Sequence, residues 1–112
     1  VGLDQWAYVV QHGKGVFSRK IEIGRWRKHQ ALDNFMSDLF EDLSPDHDTT
    51  FNLTPCELSI DALADLESHM GTSNFYQCIY NPDEQRVYDL EFIHKARFYL
   101  IKGDAVYYKN YW

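Results

Sequence analysis

Hydrophobic and polar positions along the chain change period several times, and each change marks an element. From Trp6 to Gln11, "WAYVVQ" is rich in β-forming residues; beyond Gly13 and Gly15 the run "VFSRKIEIGRW" resumes a partial alternation. These two runs predict a β-hairpin, with the glycines supplying permissive turn dihedrals. Under strict period two, Phe17, Arg19, Ile21 and Ile23 share one side, while Val16, Ser18, Lys20, Glu22 and Gly24 share the other. The first side is mostly apolar, as expected of a sheet covered on one face.

The period then becomes helical. Leu32, Phe35, Met36, Leu39, Phe40 and Leu43 recur at three- and four-residue intervals, predicting a helix over about Gln30 to Asp42. Asp33, Asn34, Ser37, Asp38, Glu41 and Asp42 fill its water-facing side. Pro45 and the short polar residues of "SPDHDTT" end it. "FNLTPCEL" offers a short extended piece before Pro55. Ser59 caps a second helix, whose Ile60, Leu63, Leu66, Glu67 and Met70 spacing combines an apolar stripe with a solvated flank, and Gly71 stops it. "NFYQCIY" has the composition of another strand. In "NPDEQ", Asn81 is a helix cap, Pro82 suits the first helical position and Glu84 completes a reciprocal capping contact. Val87, Leu90, Ile93, Ala96, Arg97, Leu100 and Ile101 carry that helix to Gly103, leaving "VYYKNYW" as a final strand. The fold class expected is α+β: an antiparallel or mixed four-stranded sheet packed by three helices, with residues 1–112 forming one domain around one core.

Composition supports a folded chain. Hydrophobic residues make up 45% and aromatics 16%, enough apolar surface to fold without metal or disulfide staples. Cys56 and Cys78 are read as ordinary thiols rather than a disulfide, because two cysteines make no framework. No run approaches the roughly 20 apolar residues that cross a bilayer, and no basic-then-apolar leader is present. A cytoplasmic protein without a membrane partner is the resulting expectation.

Charge changes the picture more. The chain carries a formal −6, yet residues 1–28 hold six Lys/Arg against two Asp/Glu, residues 29–85 hold none against twelve, and residues 86–112 hold five against three. So acidic a chain is a poor general ligand for nucleic acid, which requires a positive field. Within it, "RKIEIGRWRKH" concentrates five cations. Arg25, Trp26, Arg27, Lys28 and His29 are therefore the candidate site for binding a protein or an anion: the cations supply the field and Trp26 an apolar anchor. The structural alternative is that Trp26 covers the first helix while the cations only solvate its rim. Strand alternation also lets five neighbouring cations diverge.

Catalytic and metal patterns are incomplete. Glu91 and His94 lie three apart on one helical face, as in one element of a dinuclear carboxylate site, but further ligands must come from Glu22, His29, Asp46, His47 or Asp48. "HExxH" is absent. Cys56 beside Glu57 becomes a nucleophile only if His29, His47 or His69 reaches it; Glu22 with His29, or Glu91 with His94, is a conceivable acid/base pair. Neither a cofactor nor a resident metal is expected. Six of the eight tyrosines, Tyr8, Tyr76, Tyr80, Tyr107, Tyr108 and Tyr111, are expected to divide between the sheet faces, with an aromatic interface including Trp6, Trp26 and Trp112, or the lining of a small-molecule pocket, as the alternatives.

The opening "GLDQWAY", the later "GRWRKH", "FNLTPCEL" and the aromatic ending together resemble a family of small uncharacterised phage and bacterial proteins that begin Gly-Leu-Asp, some of which carry kinase names. This chain lacks a "GxxxxGK[ST]" phosphate loop and is too short for a two-domain phosphoglycerate kinase. The resemblance implies a phage-associated or bacterial protein acting in the host cytoplasm. The functional expectation is a small protein-binding or regulatory protein with a host protein as partner, more a binder than an enzyme, able to self-associate through an unpaired terminal strand. The alternatives are a small hydrolase or metal-dependent enzyme using a His/carboxylate site, and a local nucleic-acid or anion-binding module.

Overall fold

Strand β1 (Asp4–His12) pairs antiparallel with strand β2 (Ser18–Arg27), as their common period requires. Helix α1 (Gln30–Leu43) follows β2 almost at once, then the three-residue strand β3 (Cys56–Leu58), helix α2 (Ile60–Met70), helix α3 (Pro82–Lys102) and strand β4 (Ala105–Tyr111). The computed structural model describes residues 2–12, 18–43, 54–72, 74–77 and 79–111. The expected Gly13/Gly15 turn, the Pro45 turn, Asp46, His47, Asp48, Cys78 and Trp112 lie outside the described residues. The sheet is antiparallel throughout, in the order β2-β1-β4-β3.

One face of the sheet carries the core. Gln5, Ala7 and Val9 of β1 and Val106, Tyr108 and Asn110 of β4 are buried, whereas their alternating neighbours Trp6, Tyr8, Val10, Tyr107 and Lys109 are part-exposed. Leu32, Met36 and Phe40 of α1, Leu63, Leu66 and Met70 of α2, and Phe92, Ile93 and Ala96 of α3 close over the buried face in a single apolar cluster. At roughly 1.5–3 kcal/mol for each large side chain removed from water, that cluster is the main force holding helices to sheet. Helix ends match local chemistry. Ser59 accepts the Ala62 N–H at 3.1 Å, and Gly103, at φ 104°, supplies the left-handed residue that turns α3 toward β4.

Five expectations need correction. The described residues of 74–80 form no strand: the Gln77 N–H donates to the Asn74 carbonyl and the Ile79 N–H to the Tyr76 carbonyl, as in turns. The sheet position beside β4 is taken by Cys56–Leu58, while residues 51–53, the expected extended piece before Pro55, lie outside the described residues; Phe75, Tyr76 and Ile79 pack on the core without ladder bonds. The terminal strand is consequently no edge, for β4 runs between β1 and β3. Asp33 is buried instead of facing water, because Tyr108 and Asn110 donate to it from below. On α3 the buried residues are Asp89, Phe92, Ile93 and Ala96, a stripe rotated from the expected one; Val87 and Ile101 are exposed. Asn81 makes no side-chain cap, since its ψ of 77° is far from the 168° of Ser59; its amide instead reaches Glu84 at 3.4 Å.

The decisive local feature is a β-bulge. Ala7 pairs with Gly24 but Tyr8 with Glu22, leaving Ile23 as the extra residue. Strict alternation would place Trp26 beside Glu22 and Gly24 on the polar face. The bulge reverses the parity, so Gly24 and Trp26 turn inward opposite Ala7 and Gln5. Gly24 is needed there: a Cβ on it would lie 2.5 Å from the Trp26 ring.

Candidate functional site

The bulge splits the Arg25–His29 run between two environments. Trp26 and His29 point into the core, with His29 only 1% exposed, while Arg25, Arg27 and Lys28 remain on the surface. Lys28 ends β2 in a left-handed conformation, φ 59°, with its N–H donating to the Leu3 carbonyl at 2.7 Å. That single residue turns the chain so that His29 enters the interior directly before α1.

Inside, the polar groups converge on Asp89. Trp26 Nε1 and Gln85 Nε2 donate to Oδ1 at 2.8 and 2.9 Å; the Tyr76 hydroxyl donates to Oδ2 at 2.8 Å, and His29 Nε2 lies 2.8 Å from the same oxygen. On the other side of the ring, His29 Nδ1 accepts the Leu32 N–H at 3.4 Å, which assigns the proton to Nε2. Gln5 continues the network: its Oε1 accepts the His29 N–H at 2.8 Å, and its Nε2 donates to the His29 carbonyl and the Tyr108 hydroxyl, both at 2.9 Å. Tyr108 in turn donates to Asp33 at 2.8 Å, as does Asn110 Nδ2. The network thereby joins two buried carboxylates to residues of five elements, β1, β2, α1, α3 and β4, and to the turn before α3.

These groups are engaged with one another. Burial raises the Tyr76 pKa, and the hydrogen bond to Asp89 and the charge of Asp89 raise it further, against a smaller lowering by Arg86. Tyr108 is raised chiefly by burial and by the charge of Asp33. Both hydroxyls therefore stay protonated donors at neutral pH. His29 and Asp89 resemble a catalytic dyad in distance only: both ring nitrogens are occupied and both side chains are almost wholly enclosed.

The remaining catalytic candidates do not meet. Glu22 bonds Arg25 at 2.7 Å on the surface, whereas His29 is buried and held by Asp89. Cys56 is buried, its thiol against the Met36 carbonyl at 4.0 Å, and burial, with a smaller contribution from Glu57, pushes its pKa up to about 12. A nucleophilic thiol needs the opposite shift. Glu91 and His94 are exposed on α3, His69 Nδ1 faces its own helix at the Asp65 carbonyl, and among the described residues no three His, Cys, Asp or Glu groups are placed to hold a metal ion.

The outward half of the run does border a cavity. A cleft of about 450 Å³ opens where the end of β2 meets the start of α3, walled by Arg25, Arg27, Tyr80, Glu84 and Tyr88, with the edge of Trp26 and Gln85 as its floor. Tyr80 is 97% exposed, and the Tyr88 hydroxyl accepts the Arg25 backbone N–H at 2.9 Å. Arg25 is paired with Glu22, whereas the nearest carboxylate to Arg27, Asp4, stands at 3.9 Å. Sequence patterning pointed to Arg25, Trp26 and Arg27 but missed Tyr80, Tyr88, Gln85 and the buried Asp89. The only local signal for the last was an acidic residue on what proves to be the inward face of α3.

No protein-family model, no curated protein and no solved structure matches this chain.

Proposed function

We propose that this chain is a small protein-binding or regulatory protein that receives an acidic segment of its partner in the Arg25/Arg27 cleft. The observation that carries the reading is the pairing of two exposed guanidinium groups with exposed aromatic surface, Tyr80 and Tyr88, over a floor rigidified by the Asp89 network. Arginine and tyrosine are the side chains that concentrate binding energy at protein interfaces. A rigid floor reduces the ordering that binding would otherwise require. Glu84 in the wall and Glu22 on Arg25 oppose a polyanion, which favours a peptide carboxylate amid apolar contacts over nucleic acid.

The resemblance to the Gly-Leu-Asp proteins extends the proposal to a host protein as partner and the host cytoplasm as the setting. Among the described residues no helix is long and apolar enough to cross a membrane. The test is retention of proteins from a bacterial extract on the immobilised chain, compared with the Arg25→Glu/Arg27→Glu variant at matched folding. A specific protein lost with charge reversal is the expected result. Identical retention by both chains would overturn the assignment of this cleft.

A further inference from the structure

We propose that the partner segment binds as an extended strand along the free edge of β2, in a groove between β2 and α3. This rests on the cleft assigned above and adds the way the partner is held. The cleft is one end of a longer feature. Next to it lies a cavity of about 270 Å³ sharing Arg25 and Tyr88 and reaching Gly24 and Lys95, and beyond that one of about 490 Å³ lined by Ile21, Ile23, His94, Phe98 and Tyr99. The three share residues in series, so they form one channel that follows β2 from Ile21 to Arg27, a span of roughly 20 Å at the usual rise per residue.

The wall formed by β2 offers backbone as well as side chains. In the order β2-β1-β4-β3, β2 pairs only with β1. The Arg25 N–H points away from β1, because it donates to Tyr88, whereas the Lys28 N–H donates back to Leu3 of the strand-side neighbour. Antiparallel ladders alternate, so the Arg27 peptide also faces the groove. An added strand satisfies such an edge, its main chain giving affinity and its alternating side chains specificity. The Tyr88 hydroxyl already stands where a partner carbonyl would sit.

Chemistry at the two ends defines the occupant. Arg27, whose ion pair with Asp4 is long at 3.9 Å, marks the end for an acidic side chain, whereas midway Lys95 shares the wall with Glu22, which offsets its charge. At the other end Phe98 is 62% exposed beside Ile21 and Ile23, and Ile101, one turn further, is 76% exposed. Exposed aromatic and aliphatic surface at a groove suits an apolar side chain. The occupant is therefore an extended protein segment of about six residues, acidic near Arg27 and apolar near Phe98.

The probe is a display library of eight-residue peptides selected on the immobilised full chain, followed by affinity measurement on the enriched peptide. Enrichment of peptides combining acidic and apolar positions is expected. Phe98→Asp should weaken the chosen peptide at least tenfold. N-methylation of the peptide amides that face the Arg25–Arg27 stretch, beyond the bulge, should do the same, while methylation of their immediate neighbours is tolerated. Tyr88→Phe keeps the ring and frees the Arg25 N–H, so it should tighten binding about three- to tenfold, the worth of one net hydrogen bond. A merely electrostatic ligand would gain nothing from that change.

A peptide that needs Arg25 and Arg27 but ignores N-methylation and Tyr88→Phe overturns strand addition and leaves the cleft standing. Strand-like sensitivity without dependence on the arginines does the reverse. Failure to enrich any peptide overturns strand addition, as does a dimer of the chain that Phe98→Asp converts to monomer, or an oligonucleotide that competes for the groove.

Discussion

Trp26 and His29 on one side, and Arg25 and Arg27 on the other, come from the same five residues and teach opposite lessons. The first pair is buried, each side chain locked to Asp89; the second is solvated and held only by exposed ion pairs. Buried charges depend on their partners, so the inner pair governs whether the chain folds. Exposed ion pairs are worth little to stability, so the outer pair is free to serve binding.

Asp89 is the sharpest place to break this contrast. Asp89→Ala strands four donors from Trp26, Gln85, Tyr76 and His29 at once, and is expected to cost about 3–5 kcal/mol in denaturant unfolding. Asp89→Asn, which keeps the shape but places a donor against donors, should cost less, about 1–3 kcal/mol. A loss below 1 kcal/mol for the alanine variant would mean that the network is not what holds β2, α1 and α3 together.

Alkali tests the same interior from another side. The Cys56 thiol, ordinarily near 9.0, is raised to about 12 in the fold, and Tyr76 and Tyr108 are raised above their ordinary 10.0. Between the two values for each group the unfolded chain has lost a proton that the folded chain keeps. Stability is therefore intact below pH 9, falls from there toward pH 12 through Cys56, and falls more steeply above pH 10 as the tyrosines join. Each group contributes a slope of about 1.4 kcal/mol per pH unit. Unfolding midpoints from pH 8 to 11 check the trend, and Cys56→Ala should remove the part that begins near pH 9.

Gly24→Ala probes the bulge that creates the contrast. A methyl group there meets the Trp26 ring, so either the ring shifts off Asp89 or the strand moves, at about 1–3 kcal/mol. Trp26 fluorescence should change with it. Smallest in stability is Arg25→Glu with Arg27→Glu, expected within about 0.5 kcal/mol of the parent while removing partner binding. A large destabilisation by this pair would erase the distinction between an inner and an outer half.

Residue type and period alone determined most of the elements. Helices begin at Gln30, Ile60 and Pro82 where apolar spacing, Ser59 and Pro82 predict them, and β1, β2 and β4 overlap the runs read as strands from β-forming composition and partial alternation, because these signals act within a few residues of chain. Tertiary structure decided which strand fills the last sheet position, turning "NFYQCIY" away in favour of Cys56–Leu58, and which acids go inside. Asp33 reads as a solvent-facing residue from its helical position, and nothing in the local pattern singles out Asp89; the burial of both depends on donors 60 to 77 residues away, at His29, Trp26, Tyr108 and Asn110. The candidate surface divides along that same line. Its cations were legible as a cluster in sequence, but one inserted residue at Ile23 determined which of their neighbours faced the core and which faced the groove.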